Sequence, residues 1–157
     1  MKTTRKIRRK AAKAEAGWRE LVRLPELGAG PLTAKLDTGA RSASLHAENI
    51  EVSADGRHVR FDVPRDDRRR EHLHCQMPLH GEKRVKNTGG TAETRLVVET
   101  DIEMGGARWK ALVTLSDRTD MGVPMLLGRA TLAGRFVVNP ARSFLISRKP
   151  QMPEDLA

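Results

Sequence analysis

Aromatic residues and cysteine are scarce in this sequence. The 157 residues include no tyrosine, and aromatic residues make up only 3% of the chain. Proteins that bind single-stranded nucleic acid commonly stack the bases on aromatic side chains, so this composition argues against such a function. The one cysteine, Cys75, cannot form a disulfide within the chain. A chain without internal disulfides agrees with a reducing compartment.

Long apolar runs and nucleotide-binding motifs are also missing. No stretch approaches the roughly 20 apolar residues that span a membrane, and the first 16 residues lack the apolar segment of a secretory signal. We therefore expect a cytoplasmic protein without membrane contact. A glycine-rich loop ending in Gly-Lys-Ser or Gly-Lys-Thr does not occur. Nothing thus supports ATP binding, and we expect no cofactor.

Positive charge is concentrated at the N-terminus. The net charge is +9, and residues 1–13 carry seven lysines and arginines and no acid, which leaves +2 for the rest. We expect a basic, disordered arm over residues 1–16, one domain over 17–148 and a polar tail over 149–157. The arm either contacts the ribosome or nucleic acid by neutralising phosphates or is a solubilising tail without a partner.

The chain is organised around an acidic residue at the end of a predicted strand. Leu32, Ala34 and Leu36 alternate with polar residues, which is typical of a half-buried strand, and Gly39 ends it. Asp37 is then held between a strand and a glycine turn, as expected for a carboxylate that must be aimed at a substrate. The alternative is an ordinary Asp-Thr-Gly turn that closes a hairpin.

A second apolar segment resembles the first and runs into Gly128 about ninety residues later. Gly128 would allow a close backbone approach, and a short helix is predicted to continue to about Leu132. Three separated segments, residues 35–41, 84–87 and 121–129, together resemble the retropepsin-like aspartic peptidases. They are most similar to the small bacterial branch often labelled ATP-dependent zinc proteases, and the resemblance covers roughly residues 20–147.

The resemblance implies an all-β, mainly antiparallel fold: a retropepsin-like acid-protease half-barrel with one short helix near the C-terminus. It also implies a homodimer, because a metal-free peptidase of this type needs two carboxyl groups that share one proton, and an isologous interface supplies Asp37 twice. The catalytic residues would be Asp37, Thr38 and Gly39, with the Thr38 hydroxyls bracing the two loops. Structural support would come from Ala40, Gly128 and Arg129.

The expected substrate is a peptide, and an acidic one on electrostatic grounds. The resemblance implies that a glycine-tipped hairpin, residues 87–90, covers it, and the alternative is an ordinary surface hairpin. The predicted flap and basic rim comprise Arg41, Arg84, Lys86, Asn87, Thr88 and Gly89. Members of this family have been linked to trimming glutamate tails from a small-subunit ribosomal protein, which would fit these charges.

Two other functions remain open. A zinc-dependent peptidase would require metal ligands, and residues 72–80 offer three histidines and Cys75. On a strand, however, His72 and His74 share one face and Cys75 lies on the other, so we expect no metal site there. A catalytically silent, retropepsin-shaped module could instead dock on an acidic or ribosomal partner.

Two apolar runs near the C-terminus, residues 136–138 and 143–147, are predicted to be the last strands. Strand edges left unpaired in a monomer promote association. We therefore expect these strands to contribute to the dimer interface.

Overall fold

The computed structural model of the protein describes residues 13–86, 89–117 and 122–148. These residues form short β-strands and one helical turn. The elements are β1 (Ala14–Gly17), β2 (Arg19–Leu24), β3 (Ala29–Asp37), β4 (Ala43–His46), β5 (Glu48–Val52), β6 (His58–Pro64), β7 (His72–Pro78), β8 (Gly81–Lys86), β9 (Ala92–Met104), β10 (Ala107–Ser116), β11 (Met125–Gly128), α1 (Arg129–Leu132) and β12 (Phe136–Asn139).

Six strands form a closed barrel. Their order is β10-β4-β11-β3-β2-β9, and the antiparallel pairing of β9 with β10 closes the ring. Most pairs are antiparallel, but β3 with β11 and β4 with β10 are parallel. The predicted all-β, retropepsin-like fold with one short helix near the C-terminus is therefore confirmed.

The core lies inside this barrel. Leu32, Ala34 and Leu36 of β3 are buried, and the residues between them are partly or fully exposed. The two-residue period seen in the sequence is thus the difference between the inner and outer faces of the barrel wall. On β10, Val113 and Leu115 point into the same core.

A separate three-stranded sheet, β5-β6-β7, follows the barrel strand β4 in the chain. Its middle strand contributes the buried Phe61. The hairpin of β8 and β9 extends the barrel sheet, with Lys86 opposite Ala92 at the last described pair before the turn. Asn87 and Thr88, which were predicted to belong to the tip, lie outside the described residues.

The first and last strands of the described chain pair with each other. Strand β1 pairs in parallel with β12, from Ala14 opposite Phe136 to Gly17 opposite Asn139. Residues 14–16, which were predicted to belong to the arm, therefore form part of a strand. Residues 1–12 and 149–157, which make up most of the predicted arm and the tail, lie outside the described residues.

The predicted strand over residues 143–147 is wrong, because a buried side chain binds this backbone in place of a neighbouring strand. The Glu20 carboxylate is fully buried and accepts hydrogen bonds from the backbone N–H groups of Leu145, Ile146 and Ser147. The Ser147 hydroxyl and the Gly17 N–H also donate to it, each at 2.6 Å. These hydrogen bonds hold the segment, residues 143–147, against β2, where it forms a bend and not a strand.

In the part of the chain that the structure describes, the one helix is a single turn, and no helix has the length and apolar character to cross a membrane.

Candidate active site

Asp37 is the last residue of β3, and its carboxylate faces a tight turn. The Gly39 N–H donates to Asp37 Oδ1 at 3.0 Å, and the Ala40 N–H donates to the Asp37 carbonyl at 3.1 Å. Thr38 and Gly39 are exposed, whereas Asp37 is partly buried. A side chain at position 39 would place its Cβ 3.1 Å from Asp37 Oδ1. The small residue therefore leaves room beside the carboxylate.

The parallel pairing of β3 with β11 puts Gly128 directly opposite Asp37. A Cβ on Gly128 would lie 2.5 Å from the Ser42 carbonyl oxygen and 2.6 Å from the Arg41 carbonyl carbon. Both contacts are with backbone, which cannot rotate away. Glycine at this position therefore lets β11 pack against the chain that follows the Asp37 turn.

Arg129 and the start of α1 hold the other side of the turn. The Arg129 N–H donates to the Ala40 carbonyl at 2.8 Å, and its guanidinium Nη1 donates to the Gly39 carbonyl at 3.2 Å. The Ala130 N–H donates to the Arg41 carbonyl at 3.0 Å. These contacts position the backbone of residues 39–41, and the Arg129 contact is with a carbonyl rather than with the Asp37 carboxylate.

Asp37 opens into a cleft of about 960 Å³. Six lysines and arginines line it: Lys35, Arg41, Lys83, Arg84, Lys86 and Arg95. The acidic residues of its lining are Asp37, Glu93 and Asp117. The structure thus places three predicted substrate-binding residues, Arg41, Arg84 and Lys86, in one cleft with Asp37. Gly89 is exposed in the described part of the turn but does not line the cleft.

Two residues of this cleft were missed by the sequence reasoning. The Arg95 side chain is only 11% exposed, and its Nε has no hydrogen-bond partner among the described residues. Its recorded ion pair is with the exposed Glu93, at 3.6 Å. The buried Ser44 hydroxyl also lacks a partner within the described chain. Both lie on strands in which successive side chains alternate between the two faces, and this alternation places them on the outer face of the barrel. That pattern could have identified them from the sequence.

A lysine from the β8–β9 hairpin reaches across the same cleft. The Lys83 ammonium donates to the Ser42 hydroxyl, which lies just after the Asp37 turn. This hydrogen bond connects the hairpin that would form the flap to the chain that carries the candidate catalytic residue.

The histidine-rich segment is the strand β7, and its alternation is as predicted. His74 is exposed, and its Nδ1 lies 2.6 Å from Asp62 Oδ1. The Asn49 amide and then the His74 imidazole lower the pKa of the Asp62 carboxyl by hydrogen bonding to it. Cys75 is half-buried, and desolvation raises the pKa of its thiol. A thiol with a raised pKa is a poor nucleophile at neutral pH.

Curated proteins with similar sequences are longer than this chain. It is 38% identical over 133 residues to a protein from Desulfotalea psychrophila named probable alpha-L-glutamate ligase, and the match covers 83% of this chain and 29% of that protein. A protein of the same name from Shewanella pealeana is 34% identical over 136 residues, which is 85% of this chain and 30% of that protein. The chain therefore spans about three-tenths of these relatives.

One solved structure is matched over almost its whole length. The crystal structure of Lpg0085, a Legionella pneumophila protein of unknown function, superposes with a TM-score of 0.70 at 33% identity. The match covers 85% of this chain and 98% of that one. The sequence model of the RimB-like family, described as the retropepsin-like aspartic endopeptidase RimB, matches residues 15–149. The chain therefore belongs to the RimB-like family of retropepsin-like aspartic endopeptidases.

Proposed function

We propose that the protein is an aspartic peptidase that acts as a twofold dimer on peptides rich in acidic residues. The observation that carries this proposal is the position of Asp37 in a cleft with six lysines and arginines, beside an exposed Thr38-Gly39 turn. Membership of an aspartic endopeptidase family supports the reaction type.

The reaction needs two carboxyl groups. One, ionised, takes a proton from water, and the other, protonated, donates to the carbonyl oxygen of the scissile peptide bond. Each chain supplies one Asp-Thr-Gly turn, so the second carboxyl group would come from Asp37 of another copy. The exposed face of Thr38 and Gly39 is the surface that such a copy would cover.

The sheet formed by β1 and β12 favours formation of the dimer at this surface. Strand β12 pairs with β1 in a two-stranded sheet, and Val137 on β12 is 50% exposed. Among the described residues no further strand pairs with this sheet, and a short sheet with an exposed apolar side chain is a surface that dimerisation would bury. Residues 143–147 form a bend, so they would not contribute to the interface as a strand.

The cleft favours an acidic substrate. Its cations outnumber its carboxylates by six to three, and Arg95 places a largely buried guanidinium there with an unpaired Nε. An arginine with free donors is well suited to bind a carboxylate. The curated relatives also point to glutamate, because they carry this domain within longer proteins named probable alpha-L-glutamate ligase.

The first experiment compares Asp37→Asn with the wild type on a glutamate-rich peptide. The substitution keeps the size of the side chain but removes both the base and the acid of the shared pair. Turnover should fall by about a hundredfold to ten-thousandfold, while the protein stays folded and dimeric by circular dichroism and light scattering. Glu99→Gln, at an exposed position on β9 outside the cleft lining, is the matched control and should retain activity.

The outcomes separate the alternatives. Equal turnover in Asp37→Asn and the wild type would exclude the aspartic mechanism, and a strictly monomeric active protein would exclude the shared pair. If the wild type binds the peptide without cleaving it, the protein is a binding module of retropepsin shape.

The second experiment tests the substrate class. The wild type should cleave the glutamate-rich peptide faster than the same peptide with glutamines. Arg95→Gln should reduce kcat/KM for the acidic peptide by about tenfold or more, because a hydrogen bond to a charged group contributes roughly 1.5–3 kcal/mol, and should affect the neutral peptide less. Arg57→Gln, at an exposed turn away from the cleft, is the control. Equal losses on both peptides would contradict the role of Arg95.

A further inference from the structure

Three metal-ligating side chains converge where β4, β5 and β10 meet. His46 Nε2 and Glu48 Oε1 are 3.4 Å apart. Asp117 lies with them, and the ligand atoms of the three residues are all within 4.8 Å of one another. Its three ligands lie outside the histidine-rich segment, residues 72–80, and do not include Asp37.

The backbone holds all three positions. His46 ends β4 and Glu48 begins β5, and residues two apart on extended chain point to the same side. Ser116 pairs with His46 in the parallel β4–β10 ladder, and its carbonyl accepts the Ala47 N–H at 3.0 Å. Asp117 follows Ser116 directly. The three ligands are therefore brought together by strand pairing rather than by side-chain reach alone.

The distances suit a shared ion. Zinc binds imidazole nitrogen and carboxylate oxygen at about 2.0–2.2 Å in a tetrahedron, which separates two of its ligand atoms by roughly 3.4 Å. The His46–Glu48 separation already has this value. Imidazole and carboxylate together suit divalent transition metals. Asp117 is exposed, so its side chain is free to adjust to the third position.

The charges also favour a cation. Glu48 and Asp117 are like-charged neighbours, and within residues 13–86, 89–117 and 122–148 neither forms an ion pair with a lysine or arginine. The Glu48 carboxylate lies instead between two imidazoles, with Oε1 beside His46 and Oε2 3.6 Å from His72 Nε2. His72 thus occupies the place of an outer partner that orients a ligating carboxylate. His46 is only 4% exposed, and imidazole nitrogen is a common zinc ligand.

We propose that His46, Glu48 and Asp117 bind one divalent transition-metal ion of the zinc type. The ion joins the end of β10 to the junction between the barrel and the three-stranded sheet. Three protein ligands leave the fourth position of a tetrahedron open, and one of the three, Asp117, also lines the cleft. The site does not depend on the proposed peptidase activity.

The test is metal titration of the metal-free full chain with Zn²⁺, followed by calorimetry, and with Co²⁺, followed by its visible absorption. We expect one ion per chain. Glu48→Gln and Asp117→Asn should each weaken binding by at least tenfold, since both side chains are partly or fully exposed and their loss should leave the fold intact by circular dichroism. Zn²⁺ should raise the Tm of the wild type, because an ion that binds only the folded state stabilises it, and should raise that of the two variants much less.

Two controls locate the ion. Glu51→Gln removes an exposed carboxylate from the same strand, β5, and His74→Gln removes an imidazole from the histidine-rich strand; both should bind as the wild type does. Loss of binding in His74→Gln would place the ion on the exposed strand and overturn the proposal. Wild-type affinity in both Glu48→Gln and Asp117→Asn, or no stoichiometric binding by the wild type, would overturn the proposal and leave His46 and Glu48 as a side-chain contact only.

Discussion

Replacing Glu20 by glutamine should destabilise the protein strongly, although the change removes no apolar contact. Glu20 is fully buried, and its two oxygens accept from four backbone N–H groups and from the Ser147 hydroxyl. Oε1 takes Ser147 N at 3.1 Å and Ser147 Oγ at 2.6 Å, while Oε2 takes Gly17 N at 2.6 Å and Leu145 N at 2.9 Å. Every one of these contacts requires an acceptor.

The magnitude follows from this geometry. Glutamine keeps one acceptor oxygen, and its NH₂ group would face at least two donors in either orientation. Hydrogen bonds to a charged group contribute roughly 1.5–3 kcal/mol each, so the loss of two should lower the free energy of unfolding by about 3–6 kcal/mol. That is a large part of the 5–15 kcal/mol typical of whole proteins.

Urea denaturation followed by circular dichroism measures this loss. Glu99→Gln makes the same chemical change at an exposed position and should shift the free energy of unfolding by no more than about 0.5 kcal/mol. The reasoning would be refuted if Glu20→Gln were within about 1 kcal/mol of the wild type, because the buried carboxylate would then not hold residues 145–147 in place.

Three further predictions concern the site and the free thiol. Gly128→Ala should reduce both stability and turnover, since its Cβ would lie 2.5 Å from the Ser42 carbonyl oxygen. Overpacking of this kind typically lowers the free energy of unfolding by about 1–3 kcal/mol. Unchanged urea unfolding and unchanged kcat would contradict the close packing beneath Asp37. Cys75 should react slowly with Ellman's reagent at pH 7 and faster as the pH rises, because burial raises the pKa of its thiol. Cys75→Ser should retain peptidase activity, and loss of activity in the folded variant would instead support a cysteine mechanism. The pH–rate profile of the wild type should fall on both sides of an optimum, because only the singly protonated pair of Asp37 carboxyl groups is competent, and a rate that stays level from pH 4 to pH 9 would speak against such a pair.

The barrel strands could be predicted because burial in one core explains the alternation of apolar and polar residues along them. Residues such as Leu32 and Leu36 face a single closed core, so the two-residue period appears directly in the sequence. Gly39 and Gly128 were recognisable because each follows an apolar segment in the sequence. In the structure, a Cβ at either position would meet neighbouring atoms at about 3 Å or less.

Other parts of the structure depend on partners far away in the chain. Residues 143–147 have the composition of a strand, but Glu20, more than 120 residues earlier, accepts their backbone N–H groups. Residues 14–16 lie in a basic, apolar-poor segment and become a strand because Phe136–Asn139 pairs with it. The His46–Glu48–Asp117 cluster was likewise missed, because no local pattern in the sequence reveals that β4 pairs with β10.

The pairing of Asp37 with Gly128 also sets the time at which the site can form during synthesis. The Asp-Thr-Gly turn is made early, but the strand and the helical turn beneath it come from residues 125–132, and contacts between distant parts of a chain form slowly. A nascent chain that has emerged only through β10 carries Asp37 without the backbone that supports it. Hydrolytic activity should therefore be absent from such partial chains and arise only when the last strands are available to the barrel.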